Sequence, residues 1–291
     1  MDNVILAGEK VTNRKGQSAT IVSIEGRRVT LLTDRGSMFI TDRTAVYKGS
    51  FKVRDIPSVC GVGYIGYGKH KSKSEGKHTK AYVSWREMLR RCYDEKSLRF
   101  KDYGGRGVYV CKEWLDFQNF ADWYVTQYQV FGVKYHLEKD FKSGKYYSPH
   151  TCMLLPHYLN MSILDGYKRE TKGSTTKNGR HRVQISCLGY QYQLPDHCGE
   201  GSVDYHSYFK KELVIFISDL AYLLGHITQV SKTTIQNIMH EKLHTEPTEN
   251  MFSVVTRIKC KIFKLSSTCK VLGLCKDGLK ILESKYLNRD H

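Results

Sequence analysis

Between residues 134 and 163 the chain concentrates side chains able to do chemistry. The stretch "HLEKDFKSGKYYSPHTCMLLPHYLN" brings His136, Glu138, Lys139, Asp140, His150 and Asn160 close together in sequence. Imidazoles titrate near neutrality and suit proton transfer. A lysine does so only where burial or neighbouring cations lower its pKa. Carboxylate and amide oxygens are hard donors, better matched to Mg²⁺ or Mn²⁺ than to zinc. Any one of these residues alone is more often structural, since an isolated surface His or Lys usually has no chemical role. The cluster is what points to chemistry.

The elements around the cluster determine whether it can converge. A strand ending at Glu138, a hairpin through Gly144 and a helix starting near Pro156 would carry residue 160 back over the strand. Pro156 suits a first helical turn, where its missing N–H costs nothing. Upstream, residues 1–52 alternate short β-branched runs with "EGR" and "DRGS" turns, which predicts a small antiparallel β-barrel of roughly four or five strands. Its Arg27, Arg28 and Arg35 could meet a polyanion, although such a module alone is more often a packing or accessory domain. Residues 53–80 read as a flexible Gly- and Lys-rich segment, either lying along a polyanion backbone or serving as a plain linker. Their Gly61, Gly63, Gly66 and Gly68 mimic a dinucleotide fingerprint but lack the strand before and the helix after. In residues 81–102, Tyr82, Trp85, Met88, Leu89 and Cys92 fall on one helical face, leaving Arg86, Arg90 and Arg91 outward. Trp114, Phe117, Phe120 and Trp123 or Tyr124 read as core rather than base-stacking residues. Arg106, between glycines at a turn, has little packing to do and suits a phosphate.

Further on, "NGRHRVQISCLGYQYQL" alternates Arg180, Arg182, Gln184 and Ser186 against His181, Val183, Ile185 and Cys187. The pattern predicts three strands followed by a helix over 177–227. In the last segment, 228–291, Thr233 to His240 and Leu279 to Tyr286 read as helices and "MFSVVTRIKCKIFKL" as β-like. The expected division is 1–52, 53–80, 81–165, 166–227 and 228–291, and the fold class is α+β.

Composition narrows the function. The chain has 46 Lys+Arg against 29 Asp+Glu, a formal net charge of +17, which favours polyanions through counterion release. Twenty tyrosines interleaved with this basic background point to nucleic acid. The nine cysteines form no CxxC pair, which argues against a structural zinc site and for free thiols. No stretch of 18 apolar residues or secretory signal pattern is present, so the expectation is a cytoplasmic protein with no membrane partner.

Three stretches, in order and spacing, resemble the HNH endonucleases of tailed phages, often free-standing homing enzymes. They are "YVSWREMLRRCYDEK" (Tyr82 to Lys96), "YGGRGVYVCKEWLDFQNFADWY" (Tyr103 to Tyr124) and "HLEKDFKSGKYYSPHTCMLLPHYLN" (His136 to Asn160). "HRVQISCLGYQYQL" with the helix after it is similar to the three-strand-and-helix DNA-binding domain of plant ethylene-response factors. After about residue 245 the resemblance ends.

The resemblance implies a ββα-metal HNH core over 81–165 and a host cell infected by phage. It places Glu138 as the acidic metal ligand and Asn160 as the helical one, with Asp140 a second possible ligand and Mg²⁺ or Mn²⁺ the ion. Two positions depart from the family. Lys139 stands where the base His is usual, and the central Asn falls near Thr151, leaving His136 and His150 as alternative bases. The implied activity is hydrolysis of phosphodiester bonds in double-stranded DNA. Arg90, Arg91, Arg106, Lys168 and Arg169 would hold the backbone, and Arg180, Arg182 and Gln184 would enter the major groove. The alternative is a DNA-binding protein of the same family whose nuclease site has decayed.

Overall fold

The computed structural model describes residues 4–140, 145–164, 174–175, 181–182, 184–188, 190–193, 202–242 and 249–288. The class is α+β. The chain forms two compact units: residues 1–126 with 145–151, and residues 127–144 with 152–291.

The first unit opens with β1 (Lys10–Thr12), β2 (Ser18–Glu25), β3 (Arg28–Thr33) and β4 (Met38–Asp42). These pair antiparallel in the order β1-β2-β3-β4. The sheet is an open meander rather than the expected barrel. β1 and β4 are its two edges, and the chain leaves β4 directly for helix α1 (Arg43–Tyr47), capped by the Asp42 carboxylate. Period-two alternation puts Ala19, Ile21, Val29 and Leu31 on the buried face, where Val46 and Phe51 cover them.

The expected linker is packed instead. It carries a small hairpin, β5 (Lys73–Ser74) and β6 (Lys77–His78), and Tyr67 stacks on Phe39 of the sheet at 4.6 Å. Helix α2 (Lys80–Tyr93), capped by Thr79, buries Trp85, Met88, Leu89 and Cys92, the face predicted from periodicity. The chain continues through β7 (Tyr109–Val110) to α3 (Phe117–Thr126). The Trp85 indole donates to the Trp114 carbonyl at 2.7 Å, which joins α2 to the segment before α3. Gly63, Gly66 and Gly68 lie where an added Cβ would meet Leu89, Asp116 and Gln118. They are close-approach glycines, not flexible ones.

In the second unit, β8 (Tyr135–Glu138) is separated from its partner by β9 (Tyr146–Tyr147), which belongs to the first unit and pairs there with β7. β8 pairs antiparallel with β10 (Met153–Pro156), Glu138 opposite Met153 and His136 opposite Leu155. Helix α4 (His157–Leu164) packs on both strands.

Short ribbons follow, β11 (Ser174–Thr175) with β12 (His181–Arg182) and β13 (Gln184–Cys187) with β14 (Tyr190–Gln193). Among the described residues these are two separate two-stranded pairs, where a single three-stranded sheet was expected. Helix α5 (Ser202–Leu223) buries Phe209, Leu213, Val214, Phe216, Ile217, Leu220 and Ala221. A helix apolar on so many sides must be surrounded, and α4, α6 (Gln229–Lys242), α7 (Glu249–Ile262) and α9 (Lys276–Leu287) surround it, with α8 (Ser266–Leu272) against α9.

The β-like expectation for "MFSVVTRIKCKIFKL" is corrected by α7. Met251, Val254, Val255, Ile258 and Ile262 are buried at helical spacing, so packing of that stripe outweighs the β preference of its paired valines. No described helix is long and apolar enough to cross a membrane.

Candidate functional site

The β8–β10 ribbon and α4 gather the chemistry-bearing residues of the second unit. His136 and Glu138 are two apart on β8 and therefore share a strand face. His157 and Asn160 are three apart on α4 and share a helix face. Leu155, Leu159 and Ile163 belong to the apolar core that also includes residues of α5, which anchors the helix.

Glu138, Lys139 and Asn160 are all buried, at 3 %, 3 % and 4 % exposure. Such groups are costly to bury unless they are bonded or used. The Asn160 Oδ1 is buried and has no hydrogen-bond partner among the described residues. An orphaned amide oxygen of this kind is an acceptor that a cation would satisfy. Lys139 Nζ reaches the Asp140 carboxylate at 2.6 Å, with Asp140 partly exposed. Among the described residues no group of three or more His, Cys, Asp or Glu is assembled. A cation here would take oxygen from a carboxylate and an amide and leave its other positions to solvent or phosphate.

The imidazole missed in the sequence is His157. Its Nδ1 lies 3.4 Å from that of His136, with ring centroids 4.4 Å apart. Burial, with Lys134 nearby, pushes the His157 pKa below its ordinary value, which keeps the ring neutral and able to accept a proton. The signal was a histidine immediately after a strand-ending proline. It acquires meaning only when β10 runs straight into α4 and turns residue 157 toward residue 136.

The remaining predicted residues have varied settings. Thr151, near the family's central Asn, is buried; its hydroxyl donates to the Tyr146 carbonyl at 2.8 Å and accepts from the Ser148 N–H at 3.0 Å. It therefore holds its own turn, and His150 lies exposed in that turn. Arg90 pairs with Glu87 at 3.3 Å and Asp94 at 3.6 Å within its own helix. Arg91 lies over the rings of Tyr103 and Tyr147, at 5.3 and 5.6 Å. Arg106 is exposed in the turn closed by Gly107 at φ 77°. Arg182 is on β12 and Gln184 on β13. Lys168, Arg169 and Arg180, and the hairpin turn through Gly144, lie outside the described residues.

Comparison of the chain with family models, with curated proteins and with solved structures finds no match.

Proposed function

We propose that the protein is a metal-dependent DNA endonuclease of the HNH type, hydrolysing phosphodiester bonds in duplex DNA. One observation carries the reading. An antiparallel ribbon followed directly by a helix holds a buried carboxylate, Glu138, on the strand and, on the helix, a buried amide oxygen, Asn160 Oδ1, with no partner among the described residues. The three motif stretches and the net charge of +17 support the same assignment.

Glu138 and Asn160 would hold a Mg²⁺ or Mn²⁺ ion, with Asp140 within reach of its water. When bound, the ion supplies charge stabilisation at the scissile phosphate and the departing oxygen. The chain's own residues do the rest. Neutral His157, or His136 against it, accepts the proton of the attacking water at a ring nitrogen. Lys139, tied to Asp140, sets the carboxylate's orientation. The basic residues Arg91 and Arg106 contact phosphates.

The Lys139–Asp140 ion pair favours a second reading. It occupies the place of the family's base, as expected if the site has decayed and the protein only binds DNA. Nicking of supercoiled plasmid, with and without Mg²⁺ or Mn²⁺, separates the two. Metal-dependent relaxation supports the nuclease, and binding without relaxation supports the second reading.

A further inference from the structure

The first unit contains a cleft of about 540 Å³ lined by residues of that unit alone. Four cations line it: Arg14 and Lys15 from the turn after β1, and Lys52 and Arg54 from the segment after α1. All four are exposed. No carboxylate is among its lining residues, and none of the four forms an ion pair among the described residues. Cations elsewhere in this unit do pair: Lys10 with Asp34 at 3.0 Å, Lys69 with Asp122 at 3.1 Å, and Arg90 with Glu87 at 3.3 Å. Asp55, next to Arg54, is 3 % exposed and turned inward, accepting from the Thr33 hydroxyl. Four unneutralised positive charges around one concavity repel each other, and an anionic occupant removes that repulsion.

The walls are built, not incidental. Buried Asn13 accepts from the backbone N–H groups of Lys15 and Gln17, at 2.9 and 3.0 Å, and donates to the Phe51 carbonyl at 3.0 Å. Arg14 Nε donates to the Lys48 carbonyl at 2.9 Å and its backbone N–H to the Gly49 carbonyl at 2.8 Å. These bonds lock the first pair of cations to the segment that carries the second. The Arg54 backbone N–H donates to the Tyr67 hydroxyl at 2.9 Å, fixing that segment in turn. Ser50, Ser58 and Ser72 add hydroxyl donors, and Phe51, Ile56 and Pro57 give an apolar floor.

We infer that this cleft binds the phosphodiester backbone of DNA without reading its sequence. The cations come from two separate segments that line one cleft, and a polyanion with phosphates in series can engage both segments at once. The hydroxyls are ordinary phosphate donors, and the apolar floor suits sugars. The inference rests on the nuclease reading for its choice of DNA and extends it by naming residues of the first unit that hold the substrate.

The test uses the full chain, with Lys15→Gln, Lys52→Gln and Arg54→Gln combined. A control triple of equal charge, Lys264→Gln, Lys270→Gln and Lys285→Gln, lies on exposed positions of the helical region. Binding to a labelled duplex is followed by fluorescence anisotropy over a salt series. Each lost phosphate contact lowers the slope of log affinity against log salt by about 0.9. The cleft triple is therefore expected to lower it by about 2–3, and the control by clearly less. The charge-keeping set Lys15→Arg, Lys52→Arg and Arg54→Lys should restore the parent slope, which excludes misfolding as the cause. A parent that binds duplex while the cleft and control triples behave alike overturns the cleft and leaves the nuclease reading standing. A parent that binds no duplex at any salt overturns both.

Discussion

Two regions of the chain treat polar groups in opposite ways. Around the turn after β1 and the segment after α1, Arg14, Lys15, Lys52 and Arg54 stand exposed, with no carboxylate partner among the described residues. In the β8–β10–α4 element, Glu138, Lys139 and Asn160 are no more than 4 % exposed. Exposed charge costs little stability and acts at a distance, subject to salt. A buried, unsatisfied acceptor costs about 1–3 kcal/mol and acts only on what touches it. Under the proposed function the difference would divide the labour, the first region supplying affinity and the second specific contact. Substitution should therefore separate them: changes in the cleft should alter binding and spare stability, and changes in the buried cluster should alter chemistry first.

The largest effect is expected at Glu138. Glu138→Ala should lower Mg²⁺-dependent plasmid nicking by more than about a hundredfold, as loss of a metal-binding group does, and leave duplex affinity nearly unchanged. A variant that nicks as well as its parent would place the ion elsewhere and remove the chemical half of the comparison.

Next is a stability effect in the first unit. Gly66 has φ +68°, and an added Cβ would stand 2.1 Å from Asp116 Oδ1. Gly66→Ala should cost about 1–3 kcal/mol through overpacking and left-handed strain, measured by urea unfolding. Parent-like stability would mean that the 53–80 segment is the flexible linker its composition suggests, and that the floor of the cleft is not fixed.

That segment shows where sequence reasoning reaches and where it stops. The α2 face was legible because Trp85, Met88, Leu89 and Cys92 recur at a period no strand produces. The Gly61–Gly68 run was not, since a glycine required by a neighbour's bulk looks identical in sequence to one at a flexible turn. Strand count could not reveal that β1 and β4 stay unpaired with each other. Val254 and Val255 suggested a strand, although burial at positions 251, 254, 255, 258 and 262 follows a helix. At the site, the residue types at Glu138 and Asn160 were visible in a local motif. The pairing of His136 with His157 was hidden because it depends on the register of β8 with β10.

A smaller effect tests the buried cluster directly. Asn160→Leu keeps the branched heavy-atom skeleton and removes an oxygen that has no partner among the described residues. Thermal unfolding should show a gain of about 1 kcal/mol, together with loss of metal-dependent nicking. A stability loss instead would mean that Asn160 is a structural residue, and the contrast between the two regions would weaken.

The smallest effect concerns protons in the second unit. His226 is half-buried, with Nδ1 2.9 Å from the Tyr158 hydroxyl, and burial lowers its pKa. In the unfolded chain a histidine titrates near about 6.5. Between that value and the lower folded one, the unfolded state binds more protons than the native state. The contribution to stability is therefore complete above about pH 6.5 and is lost as pH falls through the window. His157 shifts the same way, so the parent should carry both contributions and His226→Phe only one. A single proton limits the difference in slope to about 1.4 kcal/mol per pH unit, and incomplete burial makes it a fraction of that. Urea unfolding of parent and variant across about pH 5 to 8 isolates it. The parent should lose stability faster than the variant as the solution is acidified. A stability difference that stays constant across the range would show that His226 titrates alike in both states, leaving the proton sensitivity of this unit with His157 and the site it faces.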